Sequence, residues 1–429
     1  MATLFVSQLT YREPRLVGRI ETDGFTFSYD SSFLACPYAA PLSCSLPLRG
    51  KPYAREEFRP YFEGLLAEGA SRQMLAAELG VREDDWLSLL AACGRDCIGD
   101  VLIADQGDVL SDEAGYAHVD GEEIRRIVRD LSGIAEHNAE MRLSLAGVQG
   151  KTGLAHDPSS PITEGWLLPD GVAATTHMLK TSPMRDVPEI EFLCMKAARA
   201  CGLDVADVSL LGFGNPVLAV RRFDRRIVSH GGAWHVERLH QEDLCQAFGE
   251  TPGSKYAEIE GSSIRYIATF LRERSARPLQ DVASFARQLL FSYAIGNCDA
   301  HLKNYSLLHR CTEGQKCRLE LSPAYDLVCT TFYPKFSRNM AMGIGGVRDI
   351  DDVAPETLIR LAWELDIRID ALRRIAQAIA DGLLDALACA GEGAYGPVLE
   401  STPYIAEDLI ADIAPRVKVL RSFASGLSG

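Results

Sequence analysis

Residues 296–308 read GNCDAHLKNYSLL, and the reading of this stretch decides the fold. It follows DVASFARQLLFSYAIGN, in which Val282, Phe285, Leu289 and Tyr293 share one helical face, so a helix over 282–296 is expected to end there. Asp299 is then followed five residues later by Asn304. That pair suits phosphoryl transfer: the carboxylate orients the attacking hydroxyl or accepts its proton, and the amide oxygen holds Mg²⁺. Twenty-two residues after Asn304, Asp326 closes the strand-like run LSPAYDLV, where a second carboxylate can bind the same ion. Alone, Asp-x4-Asn is a weak signal, because Asp and Asn are also ordinary turn formers.

Lys180 strengthens it. In WLLPDGVAATTHMLK a turn at Asp170-Gly171 leads into a strand, and Thr176, Met178 and Lys180 share one face by the two-residue period. A helix follows, with Pro188 in its first turn, Glu189 and Glu191 near its positive end and Gly202 stopping it. A strand lysine paired with a helix glutamate is how a kinase steadies the α- and β-phosphates. A strand-end lysine reaching out to water is the plainer alternative. The order Lys180, Asp299, Asn304, Asp326 favours the kinase reading.

The bulk properties bound the remainder. At 429 residues the chain is expected to hold two or three units. No apolar run reaches membrane-spanning length and the start lacks a basic-then-apolar leader, so a cytoplasmic protein without membrane contact is expected. The twelve cysteines form no Cys-x-x-Cys pair and read as buried free thiols, with Cys93/Cys97 and Cys311/Cys317 the nearest pairs. A net charge of −15 argues against gripping nucleic acid directly and suits a basic protein partner or a Mg-nucleotide site.

Residues 1–106 read as a small α+β unit: short strands in PRLVGRIETDGFTFSYD, one helix over RPYFEGLLAEGASRQMLAAELG ending near Gly80, and a closing strand in CIGDVLIAD. Residues 107–224 hold the lysine strand, its helix and the strand PVLAVRRFDRR, and 225–429 read as mostly helical, with later helices at 356–389 and 404–424. The stretch MRLSLAGVQGKTGLA at 141–155 precedes the lysine strand. Gly147 and Gly150 let backbone N–H groups turn toward a phosphate, with Lys151 adding charge; a plain hairpin turn remains the alternative.

The stretches RLSLAGVQGKTGL, TTHMLK, IEFLCMKAARACGLDV, LAVRRFDRR, HQEDLCQAFG, PGSKY, DAHLKN and PAYDL occur in one order between about 140 and 330. As a set they resemble the HipA-like serine/threonine kinases, toxin halves of bacterial toxin–antitoxin pairs. The resemblance implies an α+β, bilobal protein-kinase-like fold: a mixed α/β N-lobe with an added N-terminal subdomain, and a mostly helical C-lobe. It makes Asp299 the catalytic aspartate and Asn304 and Asp326 the metal ligands. It assigns ATP contacts to Ala146, Gly147, Val148, Gln149, Gly150 and Lys151 of a phosphate loop, and to Lys180. Further ATP contacts fall to Arg221, Arg222 and Phe223 near the adenine, and to His301, Leu302, Lys303, Asn304, Tyr325 and Asp326. Ser144 matches a serine that such kinases phosphorylate on themselves to shut off. Its flanking Leu143 and Leu145 suit a packed loop that a phosphate of about −1.5 to −2 charges would expel.

Gly150 stands where an acidic residue is common, and Arg221 where one is expected. The implied partners are a helix-turn-helix, HipB-like antitoxin and a protein substrate such as an aminoacyl-tRNA synthetase, with DNA reached only through the antitoxin. HQEDLCQAFG reads first as a structural helix opening at Gln241, Glu242 and Asp243, with a supporting role near the site as the second reading. The rival readings are a lipid or small-molecule kinase, since Asp-x-His-x-x-Asn also suits phosphoinositide-type kinases, and a non-catalytic subunit that augments a DNA-binding antitoxin.

Overall fold

The computed structural model describes residues 3–9, 14–105, 115–139, 150–231, 233–311 and 314–426. Ser144 and residues 146–149 of the expected phosphate loop lie outside them. Residues 3–104 form a five-stranded antiparallel sheet ordered Tyr53–Ala54, Thr26–Tyr29, Arg15–Glu21, Thr3–Gln8, Val101–Ala104. The strand expected in CIGDVLIAD is present and pairs with the first. Its core is aromatic: Phe27 packs within 5.0–6.3 Å of Tyr29, Phe62, Tyr53 and Phe58.

The single helix expected over 59–80 is two helices, Arg55–Gly64 and Gly69–Leu79. Gly69 has a φ of 60°, which no continuing helix allows, and Leu65 and Leu66 between the helices are both buried. Their apolar spacing carries the period through a real break. Glu68 sits in that break.

The second sheet has six antiparallel strands, ordered Val208–Gly212, Pro216–Arg221, His177–Thr181, Gly150–His156, Trp166–Asp170, Gly115–His118. Its central strands are covered on both faces. In Pro216–Arg221, Val217 and Ala219 join Leu154, Trp166 and Leu179 on one side, while Leu218 and Val220 join the large core on the other. The helix Val187–Ala200 lies on the second side, with Pro188 in its first turn and Gly202 at φ 79° just beyond its end.

The region beyond 225 is dominated by helices in its regular structure, with short sheets set among them. It holds the helices Ser263–Arg274, Pro278–Ile295, Pro355–Glu364, Ile369–Gly391 and Thr402–Ser425, with the stretch expected at 356–389 interrupted between 364 and 369. Three sheets accompany them: the hairpin Arg225–His230/Ala233–Arg238, the set His240–Asp243/Ser306–Arg310/Arg318–Leu321, and Asn339–Ile344/Val347–Asp349. Gln241, Glu242 and Asp243 therefore end a strand rather than open a helix; Asp243 caps the short helix Leu244–Phe248 that follows. Ten cysteines are free as expected, but Cys311 and Cys317 form a disulfide. Among the described residues, no helix is long and apolar enough to cross a membrane.

Candidate active site

The helix Pro278–Ile295 delivers the Asp299 loop. It starts on Pro278 and ends at Gly296, φ 76°, where a Cβ would lie 2.1 Å from Thr331 Oγ1 and 2.7 Å from Arg416. Only glycine passes there. The Gly296 carbonyl accepts from the backbone N–H groups of Thr330 and Thr331, and Asn297 Oδ1 accepts from the Asp299 N–H at 3.1 Å. Asn297 Nδ2 reaches the Asp326 carbonyl at 3.3 Å, so one side chain joins both acidic loops. Its role was not foreseen; its place two residues before Asp299 was the only signal.

A single 3₁₀ turn, Leu302–Asn304, brings Asn304 back beneath the loop. Asn304 Oδ1 accepts from His301 N–H at 3.1 Å and Nδ2 donates to Asp326 Oδ2 at 2.8 Å. Leu302 is buried in the large core and does not line the cleft. His301 is buried, and burial pushes its imidazole down to about 3, so the ring is neutral near pH 7.

Across the cleft, Lys180 stands in the strand His177–Thr181 opposite Leu218 on one side and Lys151 on the other. Its Nζ lies 2.6 Å from Glu191 Oε1 and 2.6 Å from Asp326 Oδ1. Of the two candidate glutamates, Glu191 is thus the partner; Glu189, two positions away on the helix, faces Ser401 at 3.4 Å. Burial opposes the Lys180 charge, but Asp326 and Glu191 outweigh it and hold its pKa above the ordinary value. Burial also opposes the Asp326 charge, and Lys180 and Lys151 reverse that, keeping it well below the usual carboxylate range. Asp326 occupies the left-handed region at φ 58°.

These groups face a cleft of about 660 Å³. Lys151, Met178, Lys180, Val220, Arg221 and Phe223 line one wall, and His301, Lys303, Asn304, Tyr325 and Asp326 the other. The N-terminal unit closes a third side with Leu65, Leu66, Glu68, Met74 and Leu75. The Phe223 and Tyr325 rings lie 5.4 Å apart, an apolar pair suited to a flat base. Asp299 stands outside this lining, beside Tyr256.

Two expected contacts take a different form. The Arg222 guanidinium is committed to Asp224 at 2.7 Å, Thr175 Oγ1 at 2.8 Å and the Cys97 carbonyl at 3.1 Å, joining the N-terminal unit to the second sheet. Lys303 is held at 2.7 Å by Asp243, which gives the stretch HQEDLCQAFG a supporting contact to the cleft. Gly150 also gains a reason: a Cβ there would lie 2.9 Å from the Leu131 carbonyl oxygen, so the approaching helix Gly121–Ala139 leaves no room for the acidic residue common at that place.

A lysine–glutamate pair on the sheet side, faced by an Asp-x4-Asn loop and a second carboxylate on the helical side, is the cleft of a bilobal, protein-kinase-like phosphotransferase. Residues 143–387 match the HipA-like C-terminal domain and residues 10–104 the HipA N-terminal domain. The chain is 35% identical over 396 residues to a putative kinase, Y4mE, of Sinorhizobium fredii, covering 87% of this chain and 89% of the relative. It is 29% identical over 372 residues to the serine/threonine-protein kinase toxin HipA of Shewanella oneidensis, covering 80% and 81%. The solved complex of Shewanella oneidensis HipA, HipB and operator DNA superposes with a TM-score of 0.83 over 99% of each chain at 24% identity, a likeness of fold. The chain belongs to the HipA-like family and is a serine/threonine protein kinase. ATP as donor and a metal ion as helper follow from that membership.

Proposed function

We propose that this kinase is the toxin of a toxin–antitoxin pair, transferring the γ-phosphate of Mg-ATP to a cytoplasmic protein of the translation apparatus such as an aminoacyl-tRNA synthetase. The observation that carries the chemistry is Lys180 held between Glu191 and Asp326, with Asn304 on the other Asp326 oxygen. The base stacks near Phe223, and Lys180 turns from Asp326 to the α- and β-phosphates. Asp299 orients the acceptor hydroxyl and takes its proton. Asp326 and Asn304 supply the hard oxygen donors that Mg²⁺ favours, once the Asn304 amide rotates to present Oδ1. A metal ion held by these two residues would supply charge neutralisation to the transferring phosphoryl group.

The antitoxin is a small basic helix-turn-helix protein like HipB, through which alone DNA is met; the −15 charge suits such a partner. Ser144 is the self-inactivation site. The test is transfer of label from γ-³²P-ATP in a translation extract, followed by phosphopeptide mapping. One dominant protein band that D299N abolishes supports the reading; label in the lipid fraction overturns it. Peptide mapping that places the self-phosphate elsewhere, with S144A still self-inactivating, removes Ser144 from it.

A further inference from the structure

The segment PGSKY, residues 252–256, has no part in the chemistry above. It forms a short turn, Pro252–Ser254, whose end is laid on the catalytic loop: the Leu302 N–H points to the Lys255 carbonyl at 3.4 Å. Tyr256 then donates its hydroxyl to Asp299 Oδ1 at 2.7 Å, and its ring meets His301 edge-on at 5.1 Å. Tyr256 is 39% exposed, so the bond to Asp299 is not a by-product of core packing. Something else must fix the segment.

That anchor comes from the N-terminal unit. Glu68, in the break between Arg55–Gly64 and Gly69–Leu79, places Oε2 2.7 Å from Lys255 Nζ. Its Oε1 lies 3.4 Å from Lys303 Nζ, an ion pair without hydrogen-bond geometry, and Lys303 is also held by Asp243 at 2.7 Å. Burial alone would push the Glu68 carboxyl up, yet Lys303 and Lys255 hold it down to about 2. Two lysines and two carboxylates balance, and both lysines are neighbours of catalytic-loop atoms.

We propose that Tyr256 is a positioning residue for Asp299, and that Glu68 sets Tyr256 through Lys255, so the N-terminal unit helps aim the catalytic carboxylate. The proposal rests on the reading of Asp299 as the group that meets the acceptor hydroxyl. An aspartate on a loop can turn about both of its side-chain bonds, and a hydroxyl fixed on one oxygen restricts that turning. Misplacement of a reacting group by about 1 Å costs on the order of a hundredfold in rate. A tyrosine that only filled surface would contribute nothing through its hydroxyl.

The experiment uses the full chain and γ-³²P-ATP, counting total protein-bound label at saturating Mg-ATP, with ATP affinity measured separately by calorimetry. Y256F removes one oxygen from an exposed ring and leaves folding intact. Its initial rate should fall about ten- to a hundredfold, with ATP affinity within about twofold of wild type, because Tyr256 does not line the cleft. E68Q should lower the rate at saturating Mg-ATP as well, whatever it does to ATP affinity from its place in the cleft lining, and the E68Q/Y256F double variant should match the slower single variant, since both act on Asp299 through one chain of contacts. An unchanged or faster Y256F rate overturns the proposal, as does a double variant whose losses multiply. D299N is run in parallel: if it still transfers label, the reading of Asp299 fails; if it is dead while Y256F is normal, only the present proposal fails.

Discussion

The Lys180 ammonium lies 2.6 Å from Oδ1 of Asp326, so the lysine on the sheet side and the carboxylate on the helical side hold the cleft together directly. Glu191 shares the same ammonium at 2.6 Å and is fully buried. K180M would strand two carboxylates in a low-dielectric site, whereas E191Q leaves the Lys180–Asp326 contact in place. K180M should therefore cost up to about 3–5 kcal/mol in urea unfolding, reduced by whatever proton uptake Glu191 allows, and E191Q clearly less. Label transfer should fall in the same order. Equal losses in the two variants would contradict the bridging role.

Asp326 combines a cleft-lining carboxylate with a left-handed backbone at φ 58°. Asparagine tolerates that conformation and alanine does so poorly, at a cost of about 1–2 kcal/mol. D326N should melt above D326A. Both should lose the Mg²⁺-dependent part of ATP affinity in calorimetric titrations with and without EDTA. If Mg²⁺ still tightens ATP binding to D326N, the metal is held elsewhere.

Acid should weaken the fold before most carboxylates protonate. Burial pushes His177 and His301 down to about 3 from an ordinary 6.5, and burial lowers His309 as well. The unfolded chain takes these protons below pH 6.5 and the folded chain refuses them. For His177 and His301 this contribution is full above pH 6.5 and is lost as pH falls toward 3, at about 1.4 kcal/mol per pH unit per histidine, and His309 acts in the same direction. His240 acts oppositely: burial opposes its charge, but Asp100 at 2.6 Å raises it, so it favours the fold at low pH. Urea midpoints should drop between pH 6.5 and 4.5, and H177Q, whose side chain does not itself line the cleft, should flatten that drop.

The residues legible beforehand are those whose chemistry is tied to spacing. Asp299 and Asn304 lie five residues apart on one loop, and the helix Pro278–Ile295 carries its proline and glycine at its ends; the strand expected to close on Asp326 stops instead at Leu321, and Asp326 sits in a left-handed loop position. What was hidden depends on long-range contact. Glu189 and Glu191 look alike in sequence, and only packing selects Glu191. Glu242 reads as a helix opener, yet it is buried against Ser43, Cys44 N–H and His309, groups 198 or 199 residues earlier and 67 later. Polar residues satisfied across such distances leave no period. Leu65 and Leu66 mislead in the opposite way, continuing an apolar rhythm over a break, and so concealed that Glu68 faces the catalytic loop.

Asp96 joins the N-terminal unit to the hairpin Arg225–His230/Ala233–Arg238 and to the edge of the second sheet at Thr175 and Arg222. It lies 3.1 Å from Arg225, 3.0 Å from Arg238 and 3.5 Å from Arg222, and accepts from Thr175 Oγ1 at 2.6 Å. Asp224 is the other carboxylate, 2.7 Å from Arg222 and 2.8 Å from Arg225. Burial works against the Asp96 charge, but the three guanidiniums outweigh it and hold the carboxyl far below its usual range. D96N would leave three buried guanidiniums facing one carboxylate, and removing a partner from such a cluster costs about 3–5 kcal/mol. The loss should appear in urea unfolding and as new proteolytic cuts near residue 105, because the contacts broken are those joining residues 3–104 to that hairpin and to the edge of the second sheet. ATP affinity should fall too, since the Arg222 anchor sets the Arg221–Phe223 wall of the cleft. A D96N protein within about 1 kcal/mol of wild type, with unaltered cleavage, would show that Asp224 alone suffices to neutralise the joint.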